Sequence, residues 1–137
     1  MRVHLGMDDL LTLADERFVS LTTFRRSGEA VATPIWIAEQ GGTLVGITPA
    51  DSGKLKRLRH TARVELRPCD RRGRVAPGTP GRSGVAEVVE DRTQVGRIRG
   101  VIRGKYGVEY RVFMVVEALL RRARHTERVG LRITAAD

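Results

Sequence analysis

Hydrophobic and polar residues alternate along much of the chain with a period of two, as they do in half-buried β-strands. The stretches with this period are rich in β-branched and aromatic residues, and they predict strands at 17–24, 29–39, 43–48, 63–70, 84–90 and 128–134. Within the second stretch, Ile35 and Ile37 face one side of the predicted sheet and Trp36 faces the other. The pair Gly41-Gly42 favours a tight turn, so the first three strands are expected to form an antiparallel meander.

Other segments carry apolar residues three and four positions apart, which is the spacing of an amphipathic helix. They predict helices at 7–15, 53–62, 91–105 and 109–122. In the first helix, Asp8 and Asp9 are expected in the first turn, where the helix dipole favours negative charge. In the second, Leu55, Leu58 and Ala62 are expected to face the core, while the lysines and arginines between them face water.

The order of these elements predicts a mainly β architecture with short helices at its corners. About six strands joined by turns and short helices are typical of a barrel-like sheet. A loop rich in arginine, glycine and proline lies between Asp70 and Ser83, and Tyr106-Gly107 separates the last two helices. A length of 137 residues fits one domain, so a single domain over residues 1–137 is expected.

The chain carries 25 lysines and arginines against 16 aspartates and glutamates, a net charge of +9. Such an excess favours an anionic partner: nucleic acid, a lipid surface or a phosphorylated small molecule. Aromatic residues make up only 4% of the chain, which disfavours a nucleic-acid module that stacks bases on exposed rings. The single cysteine, Cys69, and the lack of a signal peptide or a long apolar segment predict a cytoplasmic protein that does not span a membrane.

The segment 47–58 joins a predicted strand to a predicted helix through a turn that holds hydroxyl groups, a glycine and cations. Free backbone N–H groups at the start of a helix bind phosphate, and the helix dipole reinforces them. Ser52 can donate its hydroxyl, Gly53 allows close approach of a ligand, and Lys54 adds a positive charge. Arg57 lies one turn further on, at a spacing that brings it to the same side. The alternative is that the preceding aspartate only caps the helix and the cations form a solvated face.

Five segments of the chain match the pattern of a known family. They are GEAVATPIW (28–36), LVGIT (44–48), TPADSGKLKRLRHTARVEL (48–66), PCDRRG (68–73) and GVA (84–86). The match covers most of residues 10–135, and the third segment is the most specific. The chain resembles the split β-barrel flavin-binding family of the pyridoxamine-phosphate-oxidase type, and most of all its actinobacterial branch that uses the deazaflavin coenzyme F-420.

The resemblance implies a split β-barrel that forms a homodimer with two coenzymes bound at the subunit interface. The residues implied to grip the coenzyme's phosphate are Thr48, Ser52, Gly53 and Lys54. Those implied to line or approach the flat ring system are Thr33, Pro34, Trp36, Ile47 and Cys69. Relatives that use FMN usually carry an arginine and a lysine on the second strand, whereas the stretch 30–36 has no cation here. That departure favours the deazaflavin over FMN.

The deazaflavin also carries a polyglutamate tail, which clustered cations complement. The cations in positions suited to the tail are Lys56, Arg57, Arg59, Arg71, Arg72 and Arg74. The resemblance therefore implies a coenzyme F-420-dependent oxidoreductase that transfers hydride between the deazaflavin and a small organic substrate. No catalytic residue and no metal ligand is assigned. Three alternatives stay open: an FMN-dependent oxidoreductase of the same fold, a coenzyme F-420 carrier without turnover and, more remotely, a nucleic-acid-binding protein.

Overall fold

The computed structural model describes residues 2–120 and 127–136. Its helices are α1 (Arg2–Leu11, followed by a 3-10 turn, Thr12–Asp15), α2 (Gly53–His60), α3 (Arg92–Tyr106) and α4 (Val108–Leu120). Its strands are β1 (Val19–Phe24), β2 (Ala30–Ile35), β3 (Ala38–Gln40), β4 (Thr43–Pro49), β5 (Arg63–Pro68), β6 (Arg82–Val89) and β7 (Arg128–Ala135). Most predicted elements are present with small shifts at their ends. The predicted end of the last helix, Arg122, lies outside the described residues.

All seven strands lie in one antiparallel sheet with the order β2-β1-β5-β6-β7-β4-β3. β2 and β3 therefore occupy opposite edges, although only Trp36 and Ile37 separate them in the chain. A connection this short spans only about 10 Å. The sheet must therefore curl until its two edges approach each other, which confirms the predicted mainly β, split-barrel fold.

The prediction of one continuous strand over 29–39 is wrong, and so is the three-stranded meander. β2 pairs with β1, whereas β3 pairs with β4 at the far edge of the sheet. Between them, the Ile37 N–H donates to the Tyr106 hydroxyl at 3.0 Å, and the Ile37 carbonyl accepts from the Lys105 ammonium at 2.6 Å. Side chains of α3 thus replace a strand partner at this point. The alternation of apolar residues continues through the break, so a period of two does not reveal it.

Lys105 and Tyr106 also hold the segment that follows α1. The Lys105 ammonium donates to the carbonyls of Ala14 (2.7 Å) and Glu16 (2.5 Å), and the Tyr106 hydroxyl donates to the carbonyl of Arg17 (2.9 Å). Burial lowers the pKa of Lys105 and raises the pKa of Tyr106. The end of α3 therefore fastens the N-terminal segment and the connection between the sheet edges to one point.

The sheet separates two clusters of buried apolar residues. The inner cluster, against α1 and α2, includes Leu10, Leu13, Val19, Leu21, Leu44, Leu55, Leu58, Val64, Leu66, Leu131 and Ile133. The outer cluster, against α3 and α4, consists of Ala38, Val45, Val89, Val95, Ile98, Ile102, Tyr106 and Tyr110. The predicted inward positions Leu55 and Leu58 are confirmed, but Ala62 is exposed because α2 ends at His60.

α1 begins earlier than the sequence predicts. It runs from Arg2, so Asp8 and Asp9 lie beyond its first turn and the predicted dipole contact is wrong. No proline stops the helix in this segment, and the small Gly6 lets it approach β7, where a Cβ added at Gly6 would lie 3.4 Å from the Ala135 Cβ. No helix among the described residues is long and apolar enough to cross a membrane.

Candidate functional site

The turn from β4 into α2 brings two hydroxyl groups together at the start of a helix. Thr48, near the end of β4, is buried, and its Oγ1 donates to the Ser52 Oγ at 3.4 Å. Ser52 is the residue that caps α2, with an extended backbone at φ −72° and ψ 150°, but its side chain makes no capping hydrogen bond. The N-cap residue is therefore Ser52 and not Asp51. The Ser52 hydroxyl remains available at a helix start whose first N–H groups lack intrahelical partners.

Lys54 and Arg57 place two cations beside this turn. Lys54 is half-buried, and burial together with the Arg57 guanidinium lowers the pKa of its ammonium. Arg57 is also half-buried, and its Nε donates to the Thr23 Oγ1 at 2.5 Å. Neither cation belongs to an ion pair within the part of the chain that the structure describes. Half-buried cations without a carboxylate partner favour an anionic ligand.

Gly53 leaves room for the Arg57 guanidinium at the first turn of α2. A Cβ added at Gly53 would lie 2.9 Å from the Arg57 Nη1, closer than real Cβ atoms approach other atoms. The guanidinium therefore lies beside the first residue of the helix, on the side that its spacing in the sequence predicts.

A basic depression of about 410 Å³ continues from α2 towards the turn between β1 and β2. It is lined by Arg25, Arg26, Lys56, Arg57, Arg59 and His60. Sequence reasoning missed the first two residues, because the turn after β1 was interpreted only as a connection. The signal available was the pair of consecutive arginines directly before Ser27-Gly28. Arg25 also forms an ion pair with Glu29, with 2.9 Å between Nε and Oε1.

Two of the predicted ring contacts, Trp36 and Ile47, pack against the outer cluster. The Trp36 ring stacks on Tyr106 with a centroid distance of 4.6 Å and an interplanar angle of 13°. Phe113 of α4 lies 5.0 Å from the Trp36 centroid at 55°. Trp36 is thus the centre of an aromatic group that joins the sheet to α3 and α4.

Thr33 and Pro34 lie on β2, further along the barrel. Thr33 pairs with Leu21 on β1, and Pro34 pairs with Ser20. Thr23, the residue that binds Arg57, lies three residues from Ser20, which corresponds to about 10 Å along the strand. Thr33 and Pro34 therefore lie on the strand that pairs with β1, the strand to which Arg57 is bonded.

Cys69 lies at the same end of β1 as Pro34. Its N–H donates to the Phe18 carbonyl at 3.1 Å. Burial raises the pKa of its thiol, and the carboxylates of Asp70 and Glu16 add to the shift. The thiol form is therefore favoured, which fits a small half-buried side chain more closely than a nucleophile.

The predicted tail contacts do not form one surface. Lys56, Arg57 and Arg59 border the basic depression. Arg71, Arg72 and Arg74 lie in the loop after β5, where a Cβ added at Gly73 would lie 3.2 Å from the Pro34 Cδ. The cations of α2 therefore lie near the end of β1, beside the turn from β4 into α2. The arginines of the loop after β5 lie near the start of β1. The structure joins Thr48, Ser52, Gly53, Lys54 and Arg57 around one turn, and it divides the ring residues between the two sides of the sheet.

The sequence model of the pyridoxamine 5'-phosphate oxidase family matches residues 8–137. The chain belongs to this family. No curated protein shows a significant match.

Several solved structures have the same fold as this chain. A conserved hypothetical protein from Mycobacterium tuberculosis is 27% identical, with a TM-score of 0.66, over 95% of this chain and 80% of its own. A protein described as an F420 reductase is 17% identical, with a TM-score of 0.57, over 92% of each chain. A FAD-binding protein from Mesorhizobium loti is 14% identical, with a TM-score of 0.61, over 96% of this chain and 88% of its own.

In this member of the pyridoxamine 5'-phosphate oxidase family, one buried polar atom on β2 indicates that a ligand binds nearby. The Thr33 Oγ1 is buried and has no hydrogen-bond partner among the described residues. A buried hydroxyl without a partner costs free energy, which a ligand atom at hydrogen-bond distance would offset. Together with the hydroxyls and cations at the start of α2, this atom fits a phosphate-bearing coenzyme of the flavin type.

Proposed function

We propose that the chain is a coenzyme F-420-dependent oxidoreductase that transfers hydride between the deazaflavin and a small organic substrate. The observation that carries this proposal is the turn into α2. There an N-cap serine without a capping bond stands beside two half-buried cations that form no ion pair with any residue the structure describes. The resemblance of segment 48–66 to the deazaflavin branch supplies the identity of the anion.

The phosphate of the coenzyme would lie at the first turn of α2. The N–H groups of Gly53 and Lys54, the hydroxyls of Ser52 and Thr48 and the Lys54 ammonium would donate to such a group. Arg57 adds a second positive charge beside Gly53. The polyglutamate tail would follow the basic depression, in which Arg25 and Arg26 extend the cationic surface beyond the residues expected from the sequence.

The protein's part in the reaction is binding and orientation. When bound, the coenzyme supplies the hydride chemistry. Thr33 and Pro34 on β2 would contact the ring, and Trp36 fixes the end of that strand through its stacking on Tyr106. No side chain is assigned as a proton donor or acceptor. The resemblance further implies that two copies of the chain bind two coenzymes at their interface.

FMN is the second candidate coenzyme, because solved relatives of the same fold include a FAD-binding protein. The stretch 30–36 carries no cation, whereas FMN-dependent relatives usually have an arginine and a lysine there. A carrier of coenzyme F-420 is the third candidate, and it shares every binding residue with the enzyme.

Fluorescence titration of the purified protein with coenzyme F-420 and with FMN tests the proposal. We expect tighter binding of coenzyme F-420, and tighter binding of FMN would contradict it. Turnover of reduced coenzyme with a panel of organic acceptors then separates the enzyme from the carrier, since a carrier binds tightly and turns over with none. Titration with a DNA or RNA oligonucleotide at two salt concentrations covers the remote alternative, because nucleic-acid binding weakens steeply with salt.

A further inference from the structure

The arginine loop, residues 70–74 after β5, lies far from the turn at which the coenzyme's phosphate is proposed to bind. Its cations are Arg71, Arg72 and Arg74. The loop begins next to Phe18, directly before β1, whose carbonyl accepts from the Cys69 N–H at 3.1 Å. Arg57 bonds instead to Thr23, five residues further on, which corresponds to about 17 Å along the strand. The polyglutamate tail extends from the phosphate, so the arginine loop is left for a different anion.

Asp70 fixes the shape of the arginine loop. Its Oδ1 accepts from the backbone N–H groups of Arg72 at 2.9 Å and of Arg74 at 2.8 Å. Its carbonyl accepts from the Gly73 N–H at 3.0 Å, and its Oδ2 lies 3.3 Å from the Arg74 Nε. Among the residues that the structure describes, neither the Arg71 nor the Arg72 side chain belongs to an ion pair. The loop therefore holds two cations without a carboxylate partner on an ordered backbone.

Gly73 sets the arginine loop directly on β2. Its φ is +86°, and a Cβ added at this position would lie 3.2 Å from the Pro34 Cδ, closer than most real Cβ contacts. Glycine adopts this backbone without strain and allows the close approach to Pro34. Pro34 is one of the residues expected to contact the coenzyme's ring, and it remains exposed. The arginine loop therefore borders the expected ring position.

Arg67 adds a cation on the same face of the sheet as Pro34. Ser20 of β1 pairs with Pro34 on one side and with Arg67 of β5 on the other. Residues directly opposite each other on antiparallel strands have their side chains on one face, so Pro34 and Arg67 share a face and lie about 10 Å apart. Arg67 is half-buried and donates to the Glu65 Oε1 at 3.3 Å, which holds the guanidinium in place. Cations thus lie both beside Pro34 and across the sheet from it.

The surface next to Pro34 fits a small organic anion. Ala30 and Ala32 lie on the same face of β2 as Pro34, and both are exposed, so their short side chains leave room for a flat molecule. Guanidinium groups bind carboxylates and phosphates through paired hydrogen bonds. The carboxylate of the loop itself, Asp70, already accepts from the loop backbone. The two remaining guanidinium groups therefore favour an anion supplied by a ligand.

We propose that the substrate carries a carboxylate or phosphate group, and that Arg71 and Arg72 bind this group beside Pro34. The inference rests on the proposed function, because it places the substrate next to the ring of the bound coenzyme. It assigns the arginine loop to the substrate and the basic depression to the coenzyme's tail. The step is the proposed two-electron hydride transfer to or from a carbon of the substrate, with a proton exchanged with water, and the anionic group stays unchanged. The loop orients the substrate through its charge.

Calorimetric titration of the full chain saturated with coenzyme F-420 tests the inference, with benzoate and phenyl phosphate as probes and benzamide as the neutral control. Both anions should bind more tightly than benzamide. The double variant Arg71→Ala/Arg72→Ala should weaken binding of the anions at least about tenfold, because it removes charged hydrogen bonds, and should leave coenzyme affinity unchanged. Arg25→Ala/Arg26→Ala is the matched variant, since it removes the same charge from the basic depression. It should weaken binding of the coenzyme and leave binding of the two anions unchanged.

A glycine variant tests the position of the loop without changing its charge. Gly73→Ala keeps every arginine, but it should also weaken binding of both anions, because the added Cβ moves the loop away from Pro34. Gly78→Ala is the matched control. Gly78 also has a positive φ, +81°, but a Cβ added there would meet nothing within 4 Å, so this variant should bind the anions as the wild type does.

Three results would overturn the inference. The first is equal binding of benzamide and the two anions. The second is anion binding that the Arg25→Ala/Arg26→Ala variant weakens and the Arg71→Ala/Arg72→Ala variant does not. The third is a loss of coenzyme affinity in the Arg71→Ala/Arg72→Ala variant, which would assign the loop to the coenzyme. Failure of the wild type to bind coenzyme F-420 would instead contradict the proposed function, and the same titrations of the protein alone would then test the loop.

Discussion

α2 and α4 pack against opposite sides of the same sheet, and they leave opposite kinds of residue in water. α2 buries both of its leucines, Leu55 and Leu58, and presents its basic residues at or near the surface. α4 buries Tyr110 and presents valines, leucines and a phenylalanine. The sheet of the same chain buries the apolar side of α2, whereas most of the apolar surface of α4 stays exposed. What each helix leaves unsatisfied indicates its missing partner: an anion for α2 and a second apolar surface for α4.

The largest expected effect contrasts the buried side of α2 with the exposed side of α4. Leu58→Ala should lower the free energy of unfolding by about 2–5 kcal/mol, because it removes a buried side chain and leaves a cavity. Leu120→Ala, at a residue that is 81% exposed, should change it by less than about 0.5 kcal/mol. Urea unfolding of both variants measures the difference. Equal losses would show that α4 packs in the monomer as α2 does, and would remove the contrast between the two helices.

The next effect concerns the cations of α2. Lys54→Ala should weaken coenzyme F-420 binding by about 1.5–3 kcal/mol, because it removes a charged hydrogen bond to the phosphate. Lys56→Ala is the matched control: Lys56 is exposed and borders only the basic depression, so its loss should cost less. Fluorescence titration measures both. If Lys54→Ala binds the coenzyme as the wild type does, the phosphate does not lie at this turn.

A smaller effect on the free energy of unfolding distinguishes the start of α2, which we expect to bind a ligand, from the start of α3, which a side chain caps. Asp91 caps α3, and its carboxylate accepts from the Gln94 N–H at 3.0 Å. Asp91→Ala should therefore cost about 1 kcal/mol of stability. Ser52 makes no such bond, so Ser52→Ala should cost less than about 0.5 kcal/mol while still weakening coenzyme binding. Urea unfolding and titration of the two variants measure these effects, and a large loss of stability in Ser52→Ala would contradict the assignment.

The smallest effect is the pH dependence of binding. The pKa of Lys54 is lowered, so its ammonium loses its proton at a lower pH than an exposed lysine does. A phosphate is bound by the protonated form, so affinity should be complete below this pKa and fall as the pH rises through it. Lys54→Arg should remove this fall, because a guanidinium stays charged across the range. Titration of both proteins from neutral to alkaline pH measures it, and identical profiles would exclude Lys54 as the titrating group.

The sequence predicts local features of this protein well and non-local ones poorly. The alternation of residues located most strands, and helical spacing identified the buried positions Leu55 and Leu58. The break at Trp36-Ile37 escaped prediction because it depends on hydrogen bonds from Lys105 and Tyr106, which are distant in the chain. The same holds for the site. Spacing brought Arg57 to the turn, whereas its bond to Thr23 and the contribution of Arg25 and Arg26 depend on the packing of α2 against β1.

A crystal structure of the protein with coenzyme F-420 tests the central claim most directly. We expect the phosphate at the start of α2, with its oxygens about 3 Å from the Lys54 Nζ and the Gly53 N–H and with Arg57 on the same side. A phosphate bound elsewhere, for example at the arginine-rich loop after β5, with the Lys54 side chain in bulk water, would contradict it.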